Sequence, residues 1–367
     1  MGQKYKLNDL AYRKLEYGSG AAATEYDGSV RYIRISDIDE NGKLNDTVVS
    51  PSVYDDKYTL KDGDILFART GATVGKTYRF KETDGNFIFA GFLIRFSPNT
   101  SLVLPDYVYY FTKSPQYRQF VLRNMKVVAQ PNINAKQYGD LEFYVHSLKE
   151  QGCIVDKLIK IERLIDLRKE QLELLDNLIK SRFVEMFGDP VHNPLGWNIK
   201  PFLECGSCKN GMNFGTGETG VELQYLGVGD FKNLTKIEEV TKLGQVCLNK
   251  MPSEDYMLKN GDIIFVRSNG NKALVGRCLA IYPNGIPTTY SGFCIRYRKT
   301  DESLEIPYLL QVLKTESMRL MMAGRGANIQ NLNQQILGQL QIPIPPNNLQ
   351  REFGQFIEQV DKLKVAY

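Results

Sequence analysis

The chain repeats itself. "YTLKDGDILFARTGATVGKTYRF" at 58–80 returns as "YMLKNGDIIFVRSNGNKALVGRCLA" at 256–280. Gly63, Asp64, Ile65, Phe67 and Arg69 are matched by Gly261, Asp262, Ile263, Phe265 and Arg267, 198 residues on. Four more blocks keep the same order. "RYIRISDI" parallels "QYLGVGDF", and "FAGFLIRF" parallels "YSGFCIRY". "LPDYVYYFTKSPQYRQFV" parallels "IPYLLQVLKTESMRLMM", and "NINAKQYGDLEFYVHSLKEQ" parallels "NLNQQILGQLQIPIPPNNLQ". A unit of about 150 residues is therefore used twice, each time followed by a helical stretch. That period is too long for a solenoid, so two homologous globular units are expected within the 367 residues.

Within a unit the pattern is mixed. "VRYIRISDI" and "NFIFAGFLIRF" alternate and read as strands. "PDYVYYFTKSPQYRQFVLRN" has helical spacing and reads as a helix or two. After the first unit, Ile154, Leu158, Ile161, Ile165, Leu172, Leu175 and Ile179 lie on a heptad seam, interrupted once at Arg168. That helix would span roughly 50 Å and be stopped by Gly188, Pro190 and Pro194. Leu349, Phe353, Phe356, Val360 and Leu363 make a second, shorter seam. The expected fold class is α+β: two homologous mixed α/β domains separated by long helices forming an antiparallel coiled coil. The expected bounds are 1–148 and 188–348 for the domains, and 149–187 and 349–367 for the helices. The alternative is that each helix packs only on its own domain.

"ARTGATVGKTY" (68–78) invites comparison with a phosphate-binding loop. Only Ala72, Thr73 and Val74 separate Gly71 from Gly75, one residue too few for the backbone to wrap a phosphate. The next residues, "TYRFKETDG", are strand-like, where a helix N-terminus is needed to help hold the anion. The repeat has Gly276, Arg277 and Cys278 in place of Gly75, Lys76 and Thr77. Strand, turn, strand is the better reading, with Gly71 in the turn.

Other chemistry is thinly supported. Cys205 and Cys208 form a lone C-x-x-C, half of a four-ligand zinc site. Two histidines, His146 and His192, make a poor basis for acid–base catalysis. No Glu-x-Lys occurs, and Asp55-Asp56-Lys57 is not repeated, which weakens a metal-nuclease reading. No base-methylating Asn/Asp-Pro-Pro-Tyr/Phe motif occurs. No catalytic residues, metal or cofactor are expected on this chain. The N-terminus lacks a signal-peptide core, and no apolar run approaches the roughly 18 residues of a membrane helix. The six cysteines show no disulfide framework, so a cytoplasmic protein without membrane association is expected. A net charge of +4 permits nucleic-acid binding through local patches without requiring it.

The connecting loops are where the two copies differ most inside a shared frame, as two readers of different sequences would. They place Arg69, Thr70, Thr73, Lys76 and Arg79 in the first unit. In the second they place Arg267, Ser268, Asn269, Asn271, Lys272 and Arg277. Arginine suits guanine edges, asparagine suits adenine, and cations neutralise phosphates. Downstream, Arg118, Arg123, Lys126, Gln130 and Asn132 pair with Arg319, Arg325, Asn328 and Gln330. Gly324 and Gly326 flank Arg325, which is expected to sit in a loop that orders on DNA. A degenerate nuclease or NTPase, and a scaffold pairing two proteins without DNA, stay open at this level.

The repeat, the long intervening helix and "MFGDPVHNPLGW" together resemble the specificity subunit of type I restriction-modification enzymes. "GDILFARTG" and "GDIIFVRSNG" look like its strand-loop motif in two target recognition domains, and "LQIPIPPNNLQREF" like the join into its conserved helix. The resemblance implies that each domain reads half of a bipartite site in double-stranded DNA. It implies that the coiled coil sets the gap and docks two methyltransferase subunits, and that restriction subunits join the complex. S-adenosylmethionine and ATP would then belong to the partners.

Overall fold

The computed structural model describes residues 2–125, 131–215, 217–231, 234–323 and 331–365. The chain divides into two compact units, 1–167 and 168–367.

The first unit is built on an antiparallel sheet in the order Glu16–Tyr17, Leu93–Phe96, Ile65–Ala68, Thr77–Arg79. Every residue of Ile65–Ala68 is buried, because the sheet is covered on both faces. Alternation along the strand divides these residues between two cores. Ile65 and Phe67 join Ile94, Phe96 and side chains of the helical region, Val108, Tyr117, Val121 and Tyr138. Leu66 and Ala68 join Leu93, Tyr78, Ile33, Phe87 and Phe89. The aromatic rings interlock, with Phe67 and Tyr138 centred 4.8 Å apart. Burying each such side chain contributes about 1.5–3 kcal/mol.

The second unit repeats this plan on five strands: Gly206–Asn210, Cys294–Lys299, Asp262–Val266, Cys278–Ile281 and Lys236–Ile237. Ile263 and Phe265 face one core, Ile264 and Val266 the other. The shared "Gly-Asp-Ile" has a local cause. Gly63 and Gly261 take φ of +87° and +84°, open to glycine at no steric cost. The following aspartates turn back, accepting the amides of Lys61 at 2.9 Å and Lys259 at 2.7 Å.

The expected helical region is two helices in each unit: Pro105–Phe111 and Pro115–Met125, then Ile306–Lys314 and Glu316–Ala323. "VRYIRISDI" is shorter as a strand than its alternation suggests. It ends at Ile33, because the Asp37 carboxylate accepts the Arg34 amide at 2.8 Å and forces a turn. Asp230 does the same to Gly227, also at 2.8 Å.

The intervening helix runs over 40 residues, Leu148–Phe187, about 60 Å at 1.5 Å per residue. It stops at Gly188, with φ +72°, and the Trp197 indole caps the Phe187 carbonyl at 3.1 Å. The last helix, Asn347–Val365, packs against its second half. Phe353 meets both Phe183 and Phe187 at 5.6 Å between ring centres. Arg182 pairs with Glu352 at 3.0 Å, and Asp176 with Lys364 at 2.7 Å. One number rises as the other falls, so this pair is antiparallel, as the seams predict.

Candidate nucleic-acid interface

In the first unit three segments converge on the hairpin. The loop after Ile65–Ala68 turns through Gly71–Thr73, with Gly71 at φ +70°. The segment at 131–133 lies along it: Gly71 donates to the Pro131 carbonyl at 3.2 Å and Ile133 to the Arg69 carbonyl at 2.8 Å. On the other side, the Arg69 amide donates to the Phe92 carbonyl at 3.1 Å. This frame brings Arg69, Thr70, Thr73 and Asn132 together. Arg69 Nε donates to Asn132 Oδ1 at 3.3 Å, and its guanidinium lies 4.7 Å from the centre of the Tyr17 ring. Thr73 donates its hydroxyl to the Thr70 carbonyl at 3.0 Å, which tightens the turn. Arg118 and Arg123 are exposed on Pro115–Met125.

The second unit reproduces the frame with other side chains. Leu332 donates to the Arg267 carbonyl, and Arg267 to the Phe293 carbonyl, at 2.9 and 2.8 Å. The longer loop is held by its own asparagines. Asn269 accepts the Asn271 amide at 2.8 Å, and Asn271 accepts the Ala273 amide at 3.1 Å, starting the turn Lys272–Leu274. Ser268 follows Arg267 in this loop and shares the Phe293 carbonyl at 3.4 Å. Arg277 leans back, with Nε 3.2 Å from the Ala273 carbonyl. Arg319 and Lys272 line a cavity of about 580 Å³ with Lys180 and Lys314, against Asp189 and Glu316. Burial holds the Lys314 ammonium below its ordinary value.

Two expected residues are not brought to the loop surface. Lys76 reaches Glu40 at 2.9 Å and the Ile38 carbonyl at 3.2 Å. Arg79 is largely buried and pairs with Asp106 at 2.9 Å. Both tie the hairpin to the body of the unit. Lys126, Gln130, Arg325, Asn328 and Gln330 lie outside the described residues. Residue-level reading missed Tyr17, whose ring carries Arg69, because nothing local marks a tyrosine so far away in sequence. It also missed Phe92 and Phe293. Their signal was available: Gly-Phe is kept in both copies.

Cys205 is buried, and burial pushes the Cys208 thiol up to about 12. His146 bonds Tyr107 at 2.7 Å, and His192 bonds Asp189 at 2.9 Å. Among the described residues, no cluster of three or more His, Cys, Asp or Glu is placed to hold a metal. None of the described helices is long and apolar enough to cross a membrane.

Comparison with known proteins bears on the whole chain. The family model "Type I restriction modification DNA specificity domain" matches twice, at residues 3–177 and 222–366. The specificity subunit of the type I restriction enzyme StySPI from Salmonella potsdam is 25% identical over 353 residues, covering 89% of this chain and 74% of that protein. The S subunit of a type I restriction-modification system from M. genitalium superposes with a TM-score of 0.57 at 16% identity, over 100% of this chain and 90% of its own. A chain from a type I R-M system solved for its complex assembly and conformational transition gives the same TM-score and identity, over 99% and 91%. At that identity the structures speak for the fold alone, and the fold is shared. The twofold family match and the two copies of one loop frame agree: the chain belongs to the type I restriction-modification DNA specificity family, as a specificity subunit.

Proposed function

We propose that each unit reads one half of a bipartite, non-palindromic site in double-stranded DNA, with recognition domains at 1–148 and 188–348. The long helix, 149–187, and the last helix, 349–367, set the gap and dock two methyltransferase subunits. Restriction subunits join through that complex. This chain contributes recognition and no catalysis, and S-adenosylmethionine and ATP are bound by the partners. The setting is the cytoplasm.

One observation carries the reading. The same three-segment frame occurs twice, and its loops differ while the frame does not. Arg69 beside Asn132 has the donors and acceptors for guanine and adenine edges. Arg118, Arg123 and Arg319 supply charge for phosphates. Lys76 and Arg79 act from behind, by holding the hairpin still. The competing scaffold reading has no use for two diverged polar loops in one frame.

The test is methylome sequencing of cells with and without this chain. Loss of one bipartite adenine-methylation motif is expected, and an unchanged methylome would overturn the assignment. Exchanging 69–76 for another loop should alter one half of the motif and leave the other intact.

A further inference from the structure

Gly91-Phe92 and Gly292-Phe293 form equivalent turns, each entering the strand beside the central one. Both turns are pinned. Gly91 donates to the Ser19 carbonyl at 2.7 Å and Gly292 to the Met212 carbonyl at 2.8 Å. A side chain at Gly91 would meet the Ser19 carbonyl at 3.3 Å, and one at Gly292 would meet the Asn213 side chain; the residue that projects from each turn is the next one. Phe92 is 59% exposed and Phe293 58%. Phe293 is the one exposed aromatic residue of the second unit among the described residues. Rings so exposed contribute little to either core. The neighbouring loops, "TGAT" and "SNGNKAL", have diverged, yet the phenylalanine is kept in both copies. Its backbone carbonyl is the one bonded by the Arg69 or Arg267 amide, so each phenylalanine is tied to the start of the loop that carries the hydrogen-bonding groups.

We propose that Phe92 and Phe293 are the apolar base contacts of the two half-sites, each meeting a thymine C5-methyl in the major groove. This rests on the DNA-reading assignment above. The major groove is where thymine displays its methyl and where arginine and asparagine find distinct base edges. A pinned turn presents a ring at fixed distance from those groups. A wedge between base pairs belongs to minor-groove binding and accompanies a kinked duplex.

The test uses the full chain assembled with its methyltransferase subunits, and duplexes carrying the methylated motif or a scrambled one. Phe92→Ala and Phe293→Ala should each weaken specific binding by about tenfold, the low end for burying an apolar side chain, and leave scrambled duplex unaffected, and Phe→Leu should recover part of the loss. Replacing thymines singly by deoxyuridine should cost the wild type about fourfold at one position in each half-site, the worth of one methyl. Phe92→Ala should be insensitive to that swap in one half, and Phe293→Ala in the other. Wild-type insensitivity to every swap overturns the proposal. So does equal loss on scrambled duplex, or a 2-aminopurine signal of unstacking that vanishes with the ring. Failure of the variants to assemble with methyltransferase subunits would make the rings protein contacts instead. A wild-type complex that does not discriminate the two duplexes sinks the recognition reading itself, and this proposal with it.

Discussion

The helix leaving the first unit and the helix leaving the second begin alike and end differently. Each opens on a buried glutamine that clamps the loop before it. Gln151 accepts the Leu104 amide at 2.8 Å and donates to the carbonyls of Leu102 and His146 at 3.0 and 2.8 Å. Gln350 accepts the Glu305 amide at 2.9 Å and donates to Ser303 and Pro345, both at 2.8 Å. Further along, Val360 is 3% exposed, beneath Ile179 and Phe183 in the same core, and its counterpart Ile161 is 52% exposed. The two sequences carry the same kind of apolar seam. Coverage separates them, so an apolar seam records a capacity to pair and does not record where the pairing is used.

Emptying the covered seam should have the largest effect. Phe353→Ala should cost about 3–5 kcal/mol, the usual range for a fully buried ring, because Phe183 and Phe187 would face a cavity. Ile154→Ala, at the matching position of the half-buried helix, should cost less than half of that. Urea denaturation of the full chain, followed at Trp197, reads the second unit; hydrogen exchange reads each separately. Equal losses at the two positions would mean the exposed seam is covered in solution.

The glutamine clamp should behave in the opposite way, with equal cost in both units. Gln151→Ala and Gln350→Ala each orphan one amide and two carbonyls, and a buried group left unsatisfied costs about 1–3 kcal/mol. Hydrogen exchange of the Leu104 and Glu305 amides should accelerate to a similar degree in the two variants. A loss confined to one unit would show that the equivalence is geometric and not energetic. On the bare side, Ile161→Asn should change stability by no more than about 0.5 kcal/mol, and Val360→Asn by several times that.

Much of this was legible in residues. The repeat, the paired helices and the strand–turn–strand at 65–79 follow from periodicity and from glycines that must take positive φ. Lys76 and Arg79 show where that legibility stops. Their charge and position suit a ligand-facing loop, but Glu40, Asp62 and Asp106 lie far along the chain, and only folding brings them within reach. Strand alternation in "VRYIRISDI" was a true signal cut short by one carboxylate, Asp37. Phe92 and Phe293 read as strand hydrophobics until the turn is seen to turn them outward. Local rules, then, placed the frame well and the long-range polar contacts poorly, since a polar contact depends on a partner that periodicity does not encode.

A small expected effect changes sign between the units. Lys113 and Lys314 stand at matching points, at the end of the first short helix of each unit. Burial works against the charge on Lys113, yet its hydrogen bond to Glu162 at 3.0 Å and the nearby Tyr109 hold it above lysine's ordinary value. In the second unit Asp361 stands where Glu162 stood, but Lys364 takes it at 3.1 Å. Burial then dominates at Lys314 and lowers its value. A raised lysine contributes stability that is present below its unfolded value and is lost as pH climbs through the folded one. A lowered lysine binds fewer protons folded than unfolded, so stability rises with pH between its folded value and about 10.5. Lys113→Met should therefore lose about 0.5–1 kcal/mol at neutral pH, a loss that salt reduces. Lys314→Met should gain a similar amount, about 0.5–1 kcal/mol, and the gain should shrink toward pH 10 as the wild-type lysine discharges. Urea midpoints at pH 7 and 9.5 measure both. Two losses would mean that Asp361 serves Lys314 after all, and two gains that Glu162 does not offset the burial of Lys113; either outcome makes the polar divergence between the units smaller than their ion pairs indicate.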